Sequence, residues 1–466
     1  MGMPTVWRLA SLVLTTLLAC SSADHEAAPA SAGPTAATNG PPLPKAEAGF
    51  VDVPPQPSGA VSIPGRMFYV FHAADEHPET KPLFVLFNGG PHFATTAGLL
   101  PFGTAPYMLD VTAPVGSAPV ANPASLTRLG NLLYVDERMV GFSYGMGAPP
   151  RTCTFSSIDD AADFVRVVAA FTAKHPALRA APLVLMGESY GGLRALEMAQ
   201  LLATPTDQLA ETISAWRSDS HGQSPRVAGL VLVQPLVVWA QFDAQKSMMA
   251  NDPDLRSTTN RNPYDVREEE DFEDAVLKPH VHGAFASPSA GSMLLGVDLE
   301  HVPHLPAAER GGASRFPQNP GPAEASLVAR LGALAPSDAY FQLQTTACDG
   351  NGSVSIDPGA RWGGPFLRAL RTERLFITDA RYDAVVHTPA IAAILDRAPG
   401  FRASIDRESE PSRARPGELE VDLPANADFP AMHAQIRFPR YESGHMVARS
   451  AGRELRDDIE AWLEKR

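Results

Sequence analysis

The residues best suited to chemistry are Gly187-Glu188-Ser189-Tyr190-Gly191, a Gly-x-Ser-x-Gly motif in the middle of the chain. The apolar run from Pro182 to Met186 precedes it and indicates a buried strand, while Leu193 to Met198 favours a helix. A serine in a sharp turn between a strand and a helix has an exposed hydroxyl group, and the helix N-terminus behind it stabilises developing negative charge. This context predicts that Ser189 is the nucleophile of an acyl-transfer reaction.

A serine nucleophile needs a base to take its proton and a carboxylate to orient that base. Asp383 lies in a loop after the strand-like run 374–378, and Asp379 in the same loop is the alternative acid. His445 follows the strand-like residues 436–438 and is the candidate base. Both candidates are therefore expected beyond the carboxyl ends of strands, where α/β sheets carry their sites.

A third segment offers donors for an oxyanion. The run from Leu83 to Phe87 predicts a strand, and Asn88-Gly89-Gly90-Pro91 ends it. Two glycines allow a backbone N–H group to approach a reacting carbonyl without a Cβ in the way. A plain turn would suit the same four residues equally well.

These groups must be positioned by a large body. The chain has 466 residues, of which 44% are hydrophobic, so it fits one large α/β domain with insertions or two modest domains. Its formal charge of −14 argues against nucleic acid as a partner. The sequence leaves the oligomeric state open.

The N-terminus resembles a bacterial lipoprotein signal. An apolar run from Leu9 to Ala19, too short to span a bilayer, ends in Leu17-Leu18-Ala19-Cys20. We therefore expect residues 1–19 to be a signal peptide and Cys20 to carry a lipid anchor in the cell envelope, with Ser21 favouring the outer membrane of a bacterium. The alternative is an ordinary secretory signal with a chance cysteine.

The remaining composition predicts the domain organisation. Residues 20–60 are rich in Ala and Pro and are expected to be a disordered tether. The core is expected over 61–239 and 366–466, and residues 240–365 are more than the sheet needs. We expect this insertion to form a cap over the site.

Several separated motifs, taken together, resemble the serine carboxypeptidase family of α/β hydrolases. The motifs that carry the resemblance are Gly-Glu-Ser-Tyr-Gly-Gly at 187–192, Asn-Gly-Gly-Pro at 88–91, the segment from Asn122 to Tyr144, Asn262-Pro263-Tyr264-Asp265 and Gly444-His445-Met446-Val447. The resemblance covers most of the chain from Val61 onward and is weakest across 240–360.

The resemblance implies an α/β-hydrolase fold, with a mostly parallel central sheet flanked by helices and an inserted cap region. It implies a serine-type carboxypeptidase that needs no cofactor, with a peptide or small ester as substrate. By position, Ser189 would be the nucleophile, His445 the base and Asp383 the orienting acid.

The same resemblance implies the binding groups. The backbone N–H groups of Gly90 and Tyr190 would form the oxyanion hole. Asn88, Gly89 and Glu188 would bind the terminal carboxylate of the substrate. A carboxyl group that binds a carboxylate must be protonated, so Glu188 would favour hydrolysis at acidic pH. The alternative is that Glu188 merely caps the following helix.

The sequence departs from the family pattern where the substrate is expected. His92, Phe93 and Ala94 replace the usual small residues, and 99–103, Leu-Leu-Pro-Phe-Gly, lacks the second acid that the family often has. Two alternatives therefore stay open. One is a carboxylesterase or acyltransferase with the same triad, and the other is a surface binding protein with a decayed hydrolase body.

Two further groups of side chains have less specific patterns. Cys153 and Cys348 could form a disulfide in an oxidising envelope, or could be two free thiols. Four histidines in a Pro-rich setting have no acidic or Cys ligand at convincing spacing, so no metal site is expected at His280, His282, His301 and His304.

Overall fold

A large β-sheet organises the protein, which is seen here in a computed structural model. The structure describes residues 43–56, 64–90, 93–138, 140–145, 153–219, 226–251, 276–298, 352–355, 363–406 and 417–465. The strands in chain order are β1 Ala46–Val53, β2 Gly65–His72, β3 Leu83–Phe87, β4 Tyr107–Met108, β5 Val120–Ala121, β6 Asn131–Val135, β7 Tyr144–Gly145, β8 Cys153–Ser156, β9 Leu183–Glu188, β10 Val227–Val233, β11 Gly352–Ser355, β12 Leu375–Ile377, β13 Asp379–Ala380, β14 Arg402–Asp406, β15 Glu418–Leu423, β16 Met432–Arg437 and β17 Arg440–Tyr441.

Helices connect and cover these strands. They are α1 Ser157–Lys174, α2 Gly191–Ala203, α3 Asp207–Asp219, α4 Gln241–Met249, α5 Lys278–Ala286, α6 Pro288–Leu295, α7 Gly364–Thr372, α8 Ala390–Arg397, α9 Val447–Ser450 and α10 Gly452–Glu464. Among the described residues, no helix is long and apolar enough to cross a membrane.

The sheet is parallel at its centre and antiparallel at both edges. Its eleven described strands follow the order β1-β2-β6-β3-β9-β10-β12-β16-β15-β14, with β7 pairing β2 outside this order. The six central strands from β6 to β16 pair in parallel, whereas β1, β2, β14 and β15 pair antiparallel with their neighbours. The expected mostly parallel sheet is confirmed.

Side chains from the central strands fill a core on each face of the sheet. Along β3, Leu83, Val85 and Phe87 join a cluster with α1, α2, α3, α7 and α8. The intervening Phe84 and Leu86 join a second cluster with α5, α6, α9 and α10. Because successive strand side chains point to opposite faces, a continuous apolar strand is the sequence pattern of a sheet covered on both sides.

The order of the strands creates a crevice at one place. The chain passes from β3 to β6 on one side and later enters β9 on the other side of β3. In open α/β sheets, ligands bind outside the carboxyl ends of the strands at such a switch point. Asn88 directly follows β3 and Ser189 directly follows β9, so both residues lie at this point.

The body begins earlier in the chain than the sequence predicts. Strand β1 lies within residues 20–60, the expected tether, and pairs with β2 from Ala46 opposite His72 to Val53 opposite Gly65. The expected start of the core near Val61 is therefore wrong. Pairing with β2 at eight successive positions outweighs the low strand propensity of the Ala and Gly residues in β1.

The expected insertion contains ordered elements that pack on the core. Helices α5 and α6 belong to the second core cluster, and Gly296, just after α6, adjoins His72 of β2. Strand β11 pairs in parallel with β8, Gly352 opposite Cys153. Most of residues 299–362 lie outside the described residues, so the position of a cap over the site stays a prediction.

Some sequence predictions lie outside the described part of the chain. They concern the signal peptide 1–19, the lipidated Cys20, most of the tether, Cys348 and the histidines His301 and His304. These predictions stay predictions.

Candidate active site

Ser189 occupies a sharp turn between β9 and α2. Its backbone φ is 60°, a left-handed conformation that non-glycine residues rarely adopt. The turn is held from both sides, because the Ser189 N–H donates to the Val233 carbonyl at 3.0 Å and the Leu236 N–H donates to the Ser189 carbonyl at 2.9 Å. Strain of this kind persists only where surrounding contacts hold it, and it occurs preferentially at functional sites.

A glycine ahead of the serine allows the turn to close. A Cβ on Gly187 would lie 2.0 Å from the carbonyl oxygen of Gly191, so any side chain there would separate β9 from the start of α2. The strand, turn and helix expected from the motif are therefore present, with the serine half-buried between them.

The candidate acid and base contact each other directly. The Nδ1 atom of His445 lies 2.9 Å from Oδ2 of Asp383. The side chain of Asp383 is fully buried, whereas that of His445 remains 14% exposed. An imidazole held through Nδ1 presents its other nitrogen for proton transfer, which is the geometry of a carboxylate-oriented base.

A short backbone ladder brings these two residues together. Strands β13 and β17 pair in parallel, Asp379 opposite Arg440. Beyond them, the Arg381 N–H donates to the Tyr441 carbonyl at 3.0 Å and the Tyr382 N–H donates to the Ser443 carbonyl at 3.0 Å. The two loops therefore run side by side until Asp383 and His445 meet.

Asp383 is stabilised in its charged form by four donors. Its Oδ2 accepts from His445 and, at 2.7 Å, from Nε2 of Gln234, while its Oδ1 accepts the N–H groups of Val385 at 2.8 Å and Val386 at 3.1 Å. Burial alone would raise the pKa of Asp383, but the charge and the hydrogen bond of His445, with the Gln234 and Val386 donors, hold it below its ordinary value. The residue is an acceptor for the base and not an acid that releases protons near neutral pH.

The alternative acid serves a different contact. Asp379 is buried on β13, and its Oδ2 lies 3.5 Å from Nε of Arg440. Of the two aspartates in this loop, Asp383 is the one in hydrogen-bond contact with His445.

The serine and the acid–base pair both lie at the carboxyl ends of central strands. Val233 ends β10 opposite Glu188, the last residue of β9. Its carbonyl binds the Ser189 N–H, and the next residue, Gln234, binds Asp383. No role for Gln234 was predicted from the sequence, although a polar residue directly after a buried strand was a signal for it.

The segment after β3 lies against the serine turn. A Cβ on Gly89 would lie 2.4 Å from the Tyr190 nitrogen and 2.6 Å from the Glu188 carbonyl oxygen, so only glycine permits this approach. Gly90 has a φ of 104°, which also favours glycine. The two segments predicted to supply oxyanion donors are therefore in van der Waals contact.

The residues expected to bind a carboxylate also meet. Nδ2 of Asn88 donates to Oε1 of Glu188 at 2.7 Å, and both side chains are buried. Oδ1 of Asn88 accepts the Leu99 N–H at 2.8 Å. Glu188 therefore has a polar partner inside the site.

A buried arginine ties this region to the sheet. Arg194 of α2 donates to Oε2 of Glu137 at 2.6 Å, to Oδ2 of Asp160 at 2.8 Å and to the carbonyl of Asn88 at 2.5 Å. Burial raises the pKa of Asp160, and Arg194 opposes that rise without cancelling it. This cluster was not predicted, because charged residues give no sign of burial in a single sequence.

Of the histidines considered for a metal, His280 is bound to backbone carbonyl groups. The ring nitrogens of His280 lie 2.7 Å from the Val276 carbonyl and 2.9 Å from the Ala113 carbonyl. Among the described residues, no group of three or more His, Cys, Asp or Glu side chains is arranged to hold a metal ion.

Comparison with known proteins relates part of the chain to a known family. Residues 37–212 match the model of the serine carboxypeptidase family. Two Arabidopsis thaliana proteins are similar in sequence: serine carboxypeptidase-like 41, 31% identical over 37% of this chain and 33% of its own length, and serine carboxypeptidase-like 9, 30% identical over 28% and 29%. The chain thus spans about a third of the length of the curated relatives it matches.

A solved structure extends the likeness of fold to most of the chain. The prohormone-processing carboxypeptidase Kex1Δp from Saccharomyces cerevisiae superposes with a TM-score of 0.51 at 12% identity, covering 90% of each chain. At this identity the likeness concerns the fold, and it confirms the expected α/β-hydrolase class. The comparisons support the serine carboxypeptidase family, with the similarity in sequence carried by residues 37–212 and the α/β-hydrolase fold carried by most of the chain.

Proposed function

We propose that this protein is a serine-type carboxypeptidase that acts through an acyl-enzyme on Ser189. The observation that carries the proposal is the hydrogen bond between Asp383 and His445. It lies at the carboxyl ends of the central strands, where Ser189 occupies its strained turn. The match of residues 37–212 to the serine carboxypeptidase family supports the same reaction.

The proposed reaction has two halves. Oγ of Ser189 attacks the scissile carbonyl carbon while Nε2 of His445 takes the hydroxyl proton, and the imidazolium then gives this proton to the leaving amine as the C–N bond breaks. Water next attacks the ester carbonyl, its proton passes to His445, and Ser189 regains a proton as the acid product leaves. Asp383 stabilises the imidazolium without taking its proton.

The polar groups around the serine fit these steps. In the proposal, the N–H groups of Gly90 and Tyr190 stabilise the tetrahedral oxyanion. Asn88 and Glu188 bind the C-terminal carboxylate of the peptide, and Gly89 keeps the segment close to the serine turn. The buried contact between Asn88 and Glu188, one residue ahead of the nucleophile, supports this assignment.

A second candidate is a carboxylesterase or acyltransferase that uses the same triad. Residues 99–103, where the family often has a second acid, are all buried and provide no carboxylate. Oδ1 of Asn88 is already bound to the Leu99 N–H. A site with less capacity to hold a carboxylate would accept esters that lack one.

Labelling by a fluorophosphonate tests whether the site is active, because such probes react with activated serines. We expect the wild-type protein to be labelled on Ser189, and Ser189→Ala and His445→Gln to lose labelling by about 10³-fold or more. Wild-type protein that folds but takes no label would favour the third reading, a binding protein with a decayed hydrolase body.

Matched substrates distinguish the two enzymes. A carboxypeptidase should cleave a peptide with a free C-terminus much faster than its amidated twin, whereas an esterase should prefer simple esters to both. Asn88→Leu should raise KM for the free peptide. Glu188→Gln, which is neutral at every pH, should retain peptide cleavage at neutral pH better than the wild type does. If free and amidated peptides are cleaved equally, the carboxylate-binding assignment is wrong.

The location is proposed on sequence alone. We propose attachment to the cell envelope, at a bacterial outer membrane, through a lipid on Cys20. Metabolic labelling with a fatty-acid probe should mark the wild-type protein and not Cys20→Ala. A wild-type protein that is exported without label would indicate an ordinary secretory signal.

A further inference from the structure

Gln234 is a buried polar residue at a strained position beside the acid. It is the first residue after β10, is 0% exposed and has a backbone φ of 45°. Its Nε2 donates to Oδ2 of Asp383 at 2.7 Å and to Oγ1 of Thr388 at 3.1 Å. A non-glycine residue in a left-handed conformation persists where the surrounding contacts hold it there.

The orientation of the Gln234 amide is fixed by Asp383 and Thr378 together. The backbone N–H of Gln234 donates to Oγ1 of Thr378 at 2.8 Å, and the Thr378 hydroxyl donates to Oε1 of Gln234 at 3.0 Å. Because an ionised carboxylate can only accept hydrogen bonds, the NH₂ group of Gln234 is the end that faces Asp383. The amide oxygen then faces Thr378 and accepts its hydroxyl proton.

The same residue is joined to the nucleophile through the backbone. The carbonyl of Val233, directly before Gln234, accepts the N–H of Ser189 at 3.0 Å. A shift of Gln234 would therefore displace both the serine turn and the carboxylate of Asp383.

We propose that Gln234 is a positioning residue that sets the orientation and charge of Asp383 for its pairing with His445. This inference rests on the proposed function of the triad. Gln234 and His445 donate to the same oxygen of Asp383, so the amide partly neutralises the charge that His445 meets. Without the amide, the carboxylate would attract the imidazolium form of His445 more strongly, and that form would persist to higher pH.

Gln245 provides a matched control. It is a buried glutamine of α4 that packs against the loop after Asp383, and its side chain bonds the backbone of that loop, with its Nε2 donating to the Val385 carbonyl at 3.2 Å and its Oε1 accepting the His387 N–H at 3.0 Å. Substitution of Gln245 tests the support of the loop, whereas substitution of Gln234 tests the contact with the carboxylate.

The experiment compares Gln234→Met, Gln245→Met and the wild type by the pH dependence of fluorophosphonate labelling of the full chain. We expect Gln234→Met to label about 10- to 100-fold more slowly, the loss given by one hydrogen bond to a charged group. Its acidic limb should move to higher pH by about one unit. Gln245→Met should keep the wild-type midpoint, whatever its rate.

The outcomes separate the two proposals. An unlabelled wild type overturns the proposed function, and this inference with it. A labelled wild type with the same midpoint in both methionine variants overturns the role of Gln234 alone. If Gln234→Met does not fold, Gln234→Glu retains the shape and loses the donor when ionised. Its rate relative to the wild type should then fall as pH rises, and a constant ratio contradicts the proposal.

Discussion

Asp379 and Asp383 lie in one loop but contact different nitrogen-bearing side chains. Oδ2 of Asp379 is 3.5 Å from Nε of Arg440, whereas Oδ2 of Asp383 is 2.9 Å from Nδ1 of His445. Both carboxylates are buried, so their exposure does not distinguish them. Their partners do, because the ladder between β13 and β17 directs Asp379 to its neighbouring strand and leaves Asp383 at the end of the loop.

This difference predicts unequal effects of two like substitutions. Asp383→Asn should lower the rate of fluorophosphonate labelling by about 10⁴-fold, because the imidazole loses its orienting anion. Asp379→Asn should reduce stability with a much smaller change in rate per folded molecule. Labelling rates, corrected for the folded fraction by circular dichroism, measure both. Equal losses would mean that the loop and not the individual carboxylate matters.

Gly89 should tolerate no side chain. In Gly89→Ala the new Cβ would meet the Tyr190 nitrogen at 2.4 Å, so the proposed oxyanion donors must separate. We expect a fall in kcat of about 10²-fold or more, the effect of losing one such donor. Gly452→Ala is the control, since its nearest atom lies 3.4 Å away. Unchanged kcat in Gly89→Ala would remove this segment from the oxyanion hole.

Arg194 should be a large contributor to stability. Arg194→Met leaves Glu137 and Asp160 buried without their cation, which should cost about 3–5 kcal/mol in the free energy of unfolding. Urea denaturation measures this cost, with Lys174→Met as the control. Lys174 pairs with Glu47 but its side chain is 59% exposed, so its loss should cost less than about 1 kcal/mol. The deficit of Arg194→Met should shrink at acidic pH, where the two carboxyl groups take up protons.

His72 should make the fold sensitive to acid. Burial lowers the pKa of His72 to about 4, and its Nε2 has no hydrogen-bond partner among the described residues. In the unfolded chain, the His72 imidazole binds a proton near pH 6.5, whereas in the folded protein it stays neutral until about pH 4. Stability is therefore lost as pH falls from about 6.5 to 4. His72→Phe should flatten this part of the Tm–pH curve by calorimetry. A variant whose curve parallels that of the wild type would contradict the assignment.

The sequence was most informative where strands are apolar on both faces. The runs that became β3, β9 and β12 could be predicted because central parallel strands leave no polar face. A candidate site residue directly follows each of β3 and β9. The pairing of Asp383 with His445 followed from their positions after neighbouring strands.

Features that depend on distant partners could not be predicted in this way. Strand β1 has a weak local signal and gains its order from pairing with β2. Gln234 takes its significance from Thr378 and Asp383, both more than a hundred residues away in the chain. The charges of Glu137, Asp160 and Arg194 are compensated only once the fold brings them together.

The ladder between the loops of the acid and the base has a consequence for chain connectivity. Helix α8 and strands β14 and β15 intervene in the chain between Asp383 and His445, yet the hydrogen bonds that align the two residues do not involve them. The turn 424–431 between β15 and β16 is therefore a natural place to open new termini by circular permutation. A permuted protein cut there would carry its acid and its base near opposite ends of the polypeptide and still bring them into register.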